Sequence, residues 1–390
     1  MKVIFYSLLL GIATLCACNS SNNKPKNHTT APDQELANTA TLEENFYKRL
    51  EGTIAGKPVV MNLQKLNGEI DGNYYYEGAW LNLSTDTIIG KDSIVLAENS
   101  YNASYFSPDS KEPRLMLKWN GRGFQGKWQN GKGDKTAPVV LSEKYPEGSY
   151  RFTTGSFQDS VKAYADKSNS PTAQISFEYL KAVSDNDAGK WLDNELKKIS
   201  GLAFGNDRNK GFKVIAADYF KDYQTQFAEQ KKDRQNDDFD GWMNYTDNTQ
   251  QSVLYNDHGF VVIDFLADAY TGGAHGNYGS TMYCLDVQNK KRMILDDVVK
   301  IDSNNLKKML ERNLRIQYNI KPQDQISSVL FDNFLKPNKN FYFNEKGLAF
   351  MYNPYEVASY AQGQIVVYIP FTELKSYMNP AFKERMGIGN

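Results

Sequence analysis

The 390-residue chain balances 45 Lys and Arg against 46 Asp and Glu without a long basic run, which argues against a nucleic-acid partner. Its 41% hydrophobic and 13% aromatic content is that of a folded protein, and the length allows about two or three cored domains. Beyond the first residues no apolar stretch approaches the roughly 20 residues that span a bilayer.

The chain opens Met1-Lys2, continues as an apolar run from Val3 to Leu15 and then reads Cys16-Ala17-Cys18-Asn19-Ser20. A basic start, an apolar core of roughly a dozen residues and a small-residue cleavage region predict a secretory signal peptide over 1–17. Leu15-Cys16-Ala17-Cys18 resembles the lipobox of bacterial lipoproteins, in which the cysteine that becomes the mature N-terminus carries lipid. The lipidated residue is then Cys18, because Leu15 is bulky for a cut before Cys16; a plain secretory signal is the alternative. The expected location is the bacterial cell envelope, lipid-anchored to a membrane (outer membrane, periplasmic or surface-facing). Of the three cysteines only Cys284 would remain free, in the alternating run Thr281–Val287, and a buried strand thiol is expected.

Residues 18–42 are polar and rich in Asn, Ser, Thr and Pro, and read as a flexible tether that includes a solvated His28. Residues 43–145 alternate in short runs, among them Val59–Leu63, Tyr74–Tyr76, Trp80–Leu83, Ser93–Ala97, Leu115–Trp119, Phe124–Trp128 and Pro138–Leu141. Asn67-Gly68 suits a tight hairpin turn, and Asn120-Gly121 and Asn130-Gly131 repeat the pair. About eight strands at this spacing predict an antiparallel barrel or sandwich, a barrel being able to carry a small apolar ligand.

Helices are expected from about Tyr150. One runs from Asp187 to Ser200 with Gly201 as its stop, a second from Phe212 to Arg234, and a third starts at Ser303 as its cap. Strands are expected near Trp242–Leu254, Gly259–Tyr270, Thr281–Val287, Phe341–Phe343, Leu348–Tyr352 and Gln364–Ile369, with a short helix from Thr372. The predicted class is α+β: an all-β N-terminal domain, then an antiparallel sheet with helices over 146–283 and 284–390.

Two segments carry a further resemblance. Tyr270-Thr271-Gly272-Gly273-Ala274-His275-Gly276 is followed by a strand and Ile294–Val298; Phe341–Leu348 leads into Tyr352-Asn353-Pro354-Tyr355-Glu356-Val357-Ala358, Tyr360–Gly363 and Val366–Pro370. Residues 150–380 resemble the paired extracellular domains of the anti-sigma-V lysozyme receptor and the non-catalytic region of a peptidoglycan deacetylase. That resemblance implies an α+β fold and recognition of a lysozyme-like protein or of cell-wall glycan. The chain lacks the receptor's sigma-binding segment, so sigma-factor control does not carry over.

The candidate binding residues are Tyr270, Gly272, Gly273, His275 and Gly276 in the first loop, and Asn353, Tyr355, Glu356 and Tyr360 in the second. The glycines permit positive φ and close approach around an imidazole, and tyrosines on loops suit contact surfaces. No catalytic residue is assigned; an envelope polysaccharide hydrolase or deacetylase using His275 with Asp264 or Asp268 is the alternative. Only three histidines occur, none at zinc-ligand spacing, so neither a metal nor a cofactor is expected. Asn236–Gly241 mimics the start of a calcium loop, but a first-place Asn and Asp247 at the twelfth place favour a solvated acidic turn.

Overall fold

From residue 46 the inward positions are apolar and the outward ones mixed, and each run pairs with the one before it. The computed structural model describes residues 40–100, 111–184, 186–203, 207–231 and 241–389. The expected signal peptide, Cys18, His28, nearly all of the tether and Asn236–Asp240 of the acidic turn lie outside the described residues. Strands β1 (Phe46–Ile54), β2 (Lys57–Leu66), β3 (Glu69–Tyr76), β4 (Ala79–Ile89), β5 (Ser93–Asn99), β6 (Arg114–Trp119), β7 (Gly123–Gln129) and β8 (Thr136–Glu143) close into an antiparallel barrel in which β8 returns to β1. An eight-stranded barrel has an interior just wide enough for side chains to fill. Met61, Leu63, Ile70, Leu81, Leu96 and Phe124 fill this one.

The Asn67-Gly68 turn has positive φ at both residues (53° and 91°), as expected. The other two Asn-Gly pairs close differently. Asn120 keeps ordinary φ and its side-chain oxygen accepts from the backbone of Arg122 and Gly123. At the next turn Gly133 takes the positive φ (78°), while Asn130 Oδ1 accepts from Lys135 N.

The second half is built on a six-stranded sheet. It comprises β9 (Phe152–Lys162), β10 (Thr172–Ala182), β11 (Tyr245–Asp257), β12 (Phe260–Tyr270), β13 (Asn277–Asp286) and the short β14 (Lys291–Arg292), in spatial order β14-β13-β12-β11-β10-β9. β9 and β10 stand where sequence reasoning placed the onset of helices. One pair, β10–β11, runs parallel, because α1 (Asp187–Ile199) and α2 (Arg208–Lys231) form the crossover between them. α1 starts as expected, with Asn186 Oδ1 accepting from Gly189 N. α2 starts a turn earlier than expected, where Asp207 accepts from Lys210 N. Gly241–Met243 is a 3₁₀ turn leading directly into β11, so Asp247 lies in a strand.

The chain then forms α3 (Leu295–Val298) and α4 (Ser303–Gln317), a small antiparallel sheet of β15 (Phe341–Phe343), β16 (Gly347–Tyr352) and β17 (Ile365–Pro370), and the closing helices α5 (Phe371–Leu374) and α6 (Pro380–Arg385). The cap of α4 is Asp302, not Ser303: its carboxylate accepts from Asn304 N and Asn305 N, and Ser303 is the first helical residue. The class is α+β. Strand β13 runs unbroken across residues 283 and 284, and its Met282 and Cys284 share a core with Phe343, Leu348 and Phe350. Burial pushes the Cys284 thiol far up, so it stays protonated.

The barrel is fixed to the sheet by one guanidinium. Arg49 on β1 is 0% exposed; its Nε donates to Asn256 O (2.8 Å), its Nη1 to Glu51 Oε1 (2.6 Å) and Lys144 O (3.1 Å), and its Nη2 to Asp257. Burial opposes the charge, but the Glu51 hydrogen bond and the charges of Asp257 and Glu51 outweigh it and hold Arg49 above its ordinary value. Asn62, Gln64 and Asn73 on the barrel's outer wall donate to the carbonyls of Leu254, Gln251 and Val253, where β11 has left β10. Replacing Arg49 with Ala strands a buried carbonyl and the Asp257 carboxylate, so it should lower unfolding stability by about 3–5 kcal/mol. Urea denaturation checks this, and a loss under about 1 kcal/mol would contradict the role.

Candidate functional site

Strand register sorts the sheet's residues onto two faces. One face carries Ile175, Phe177, Val253, Val261 and Ile263 and is covered by α1 and α2. On the other face β12 changes character along its length. Phe260 and Val262 pack under the small sheet, whereas Asp264, Leu266, Asp268 and Tyr270 continue the same face beyond it. Their cross-strand neighbours are Ser252, Gln250, Asn248 and Thr246 on β11, and next to these lie Glu178, Ser176 and Gln174 on β10. This polar floor opens into a groove of about 640 Å³. Among the described residues its lining includes Asp159, Glu178 and Asp268 and no Lys or Arg. Such a surface offers donors and acceptors to hydroxyls and repels anions.

The structure brings the two predicted loops together. Gly272 and Gly273 take positive φ (92° and 93°), and Tyr270 Oη donates to Gly273 O (2.9 Å), which fastens the turn. Gly276 keeps ordinary φ; a Cβ there would sit 2.9 Å from Ala269 O, so close approach requires this glycine. The His275 ring stacks on Tyr360 (centroids 4.1 Å, 29°) and lies parallel to Tyr355 (6.4 Å, 19°). Gly276 O accepts from Nδ1 (2.7 Å), so in the neutral ring Nε2 accepts from the Tyr355 hydroxyl (3.3 Å).

The second loop is held by amides. Asn353 Oδ1 accepts from Ser280 N and its Nδ2 donates to Ser280 O; Asn340 likewise accepts from Met282 N and donates to Ser280 O. These side chains take the place of a neighbouring strand along the open edge of β13. Glu356 accepts from Asn353 N (3.0 Å) and Asn338 Nδ2 (2.9 Å), so its role is to shape the loop. Tyr355 is 54% exposed and has φ +68°, a left-handed conformation that is costly for a bulky residue.

Sequence reasoning missed Tyr278 and Trp242. Tyr278 stands edge-on to Tyr360 (5.9 Å) and opposite Asp268 on the floor. Trp242, 38% exposed, packs against Gly272. Tyr278 was available as the first aromatic after the glycine loop at even spacing from Ser280 and Met282; Trp242 carried no such signal. Neither of the carboxylates weighed as an acid partner hydrogen-bonds to His275. Asp268 accepts from Asn248 Nδ2 (2.9 Å), and Asp264 lies four residues further back along β12. Among the described residues no three His, Cys, Asp or Glu side chains gather in metal-binding geometry.

Residues 294–372 match the model of a family described as a protein of unknown function (DUF3298), and residues 144–278 match that of a family described as deacetylase PdaC. A solved DUF3298 protein from Bacteroides fragilis is 22% identical with a TM-score of 0.54, over 60% of this chain and 97% of that one, which shows a shared fold. A DUF3298 protein from Pseudomonas aeruginosa is 14% identical with a TM-score of 0.42, over 59% of this chain and 95% of that one. No curated protein matches the sequence. The loop around His275 falls in the stretch that matches the PdaC model and the loop around Tyr355 in the stretch that matches the DUF3298 model, so the aromatic cluster is formed where the two stretches meet.

Burial pushes the Asp264 carboxyl up to about 6 from an ordinary 3.8, with a Ser280 hydrogen bond opposing. A raised folded pKa means the folded state holds the proton more tightly, so this contribution to stability is full below 3.8 and fades as pH rises through about 6. Denaturation across that window should show Asp264→Asn lacking this part of the wild-type decline; parallel curves would contradict it.

Proposed function

We propose that the protein is a cell-envelope lipoprotein, anchored through Cys18, whose groove binds cell-wall glycan without cleaving it. The observation that carries this reading is a polar floor whose Asp268 stands opposite Tyr278, the nearest member of the aromatic cluster. Sugar hydroxyls both donate and accept, as do Asn248, Gln250, Gln174 and Ser176, and the apolar faces of pyranose rings stack on tyrosine rings. The absence of bases from the groove lining favours an uncharged ligand over an anionic one. The match to a deacetylase family accords with a glycan ligand. His275 has both ring nitrogens engaged by Gly276 and Tyr355, which suits a packing and orienting role better than proton transfer to a substrate.

A lysozyme-like protein is the second reading. The exposed Tyr355 and the carboxylates of the floor favour it, because tyrosine is common at protein hot spots and an acidic surface attracts a basic partner.

Retention of the purified protein on isolated peptidoglycan tests the first reading. The double variant Tyr355→Ala/Tyr360→Ala should weaken binding at least about tenfold, or about 1.4 kcal/mol. Wild type that ignores peptidoglycan but captures a lysozyme would replace the first reading with the second. The anchor is tested separately: mass spectrometry of the mature N-terminal peptide should find Cys18 acylated, and an unmodified Cys18 would contradict it.

A further inference from the structure

On the barrel's outer wall four asparagines fall in one row across four neighbouring strands. Asn62 on β2 pairs with Asn73 on β3, Asn73 with Asn82 on β4, and Asn82 with Asn99 on β5. The strands alternate, so all four point away from the barrel core, which is built from Met61, Leu63, Tyr74, Leu81, Leu83 and Leu96. The first two members are spent on docking. Asn62 accepts from Tyr47 Oη and donates to Leu254 O, and Asn73 donates to Val253 O. Asn82 and Asn99 continue the row beyond the docked region, half-buried, into a cavity of about 340 Å³ between barrel and sheet.

The opposite wall of this cavity is the polar face of the sheet, including Gln250, Ser252 and Asp264. Two of its side-chain oxygens, Asp264 Oδ1 and Gln64 Oε1, are buried with no hydrogen-bond partner among the described residues. A buried acceptor left unmatched costs free energy, and such a group facing a polar cavity points to a ligand that donates to it. The lining has no Lys or Arg, and desolvation raises both of its carboxyls, Asp71 and Asp264, toward the neutral form. The Asp264 carboxyl, two amides and a serine together present donors and acceptors to the hydroxyls of a ligand. The volume is at the small end of the roughly 300–1,000 Å³ range for ligand pockets.

We propose that this cavity is a second binding site that takes one uncharged sugar ring, held by Asn82 and Asn99 from the barrel and Asp264 from the sheet. Gln250 lines both this cavity and the groove, so the ring held here is one end of the glycan the groove carries. In choosing a saccharide the inference rests on the glycan reading above, but it uses different residues.

The test is saturation-transfer NMR and calorimetry on the full-length protein, with glucose and N-acetylglucosamine as single-ring probes and soluble peptidoglycan fragments as the long ligand. Wild type should bind a single-ring probe saturably, and Asn82→Ala/Asn99→Ala should lose at least tenfold. Asp264→Asn, which preserves shape, should weaken binding as well while leaving the unfolding transition cooperative. Absence of saturable binding by either sugar in wild type overturns the proposal, as does binding that Asn82→Ala/Asn99→Ala leaves unchanged. A rise in melting temperature with calcium that Asp264→Asn abolishes would also overturn it, assigning the cavity to a cation. Single-ring binding lost only in the asparagine variant, with no binding of the long fragments, would uphold this site and reject the groove.

Discussion

The cavity between barrel and sheet exists only while the barrel stays where Arg49 and the amides around it hold it. A guanidinium removed from water is unfavourable unless each of its N–H groups finds a partner. Arg49 finds a carbonyl and a carboxylate at the β11–β12 turn, and a carbonyl and a carboxylate within the barrel. The four partners come from both sides of the junction, so the charge is satisfied only while barrel and sheet are docked. Around it Asn62, Gln64 and Asn73 cap the carbonyls that β11 exposes once its ladder with β10 ends at Gln250. The barrel thereby supplies the hydrogen bonds that a seventh strand would have made, and its outer wall becomes one side of a cavity.

The same substitution of side-chain amides for a strand recurs at the opposite edge. Asn340 and Asn353 dock the small sheet along β13 by bonding Ser280 and Met282. The central sheet is thus held at both ends by asparagines and glutamines, and the polar part of its face between them stays uncovered. A strained Tyr355 and a stacked His275 stand at that opening. Strain of this kind persists only where surrounding contacts over-determine it, which here are the Asn353–Glu356 turn and the bond to His275.

Much of this was legible in the sequence. The barrel strands were visible because their inward residues alternate with polar ones, and the stop of α1 carried its usual chemistry in Gly201. The two loops of the candidate site were singled out from glycine and tyrosine content, and the structure joins them. β9 and β10 were not seen. β9 is an edge strand with a largely polar or half-buried pattern, although Ala173, Ile175, Phe177 and Tyr179 alternating with Gln174, Ser176 and Glu178 marked β10. The asparagine row was invisible, because Asn62, Asn73, Asn82 and Asn99 are aligned by hairpin register and not by spacing along the chain. Arg49 gave no sign of its burial, since its partners across the junction, Asn256 and Asp257, lie 207 and 208 residues away.

The central claim is that the uncovered polar face of the sheet, framed by barrel and aromatic loops, is where the ligand lies. Backbone amide chemical-shift mapping during titration with soluble peptidoglycan fragments addresses it most directly. Perturbations should concentrate on β11, β12 and the loops at 270–278 and 353–363, with α1 and α2 unmoved. Shifts centred on the helical face, or spread without pattern over the barrel's far side, would contradict the account.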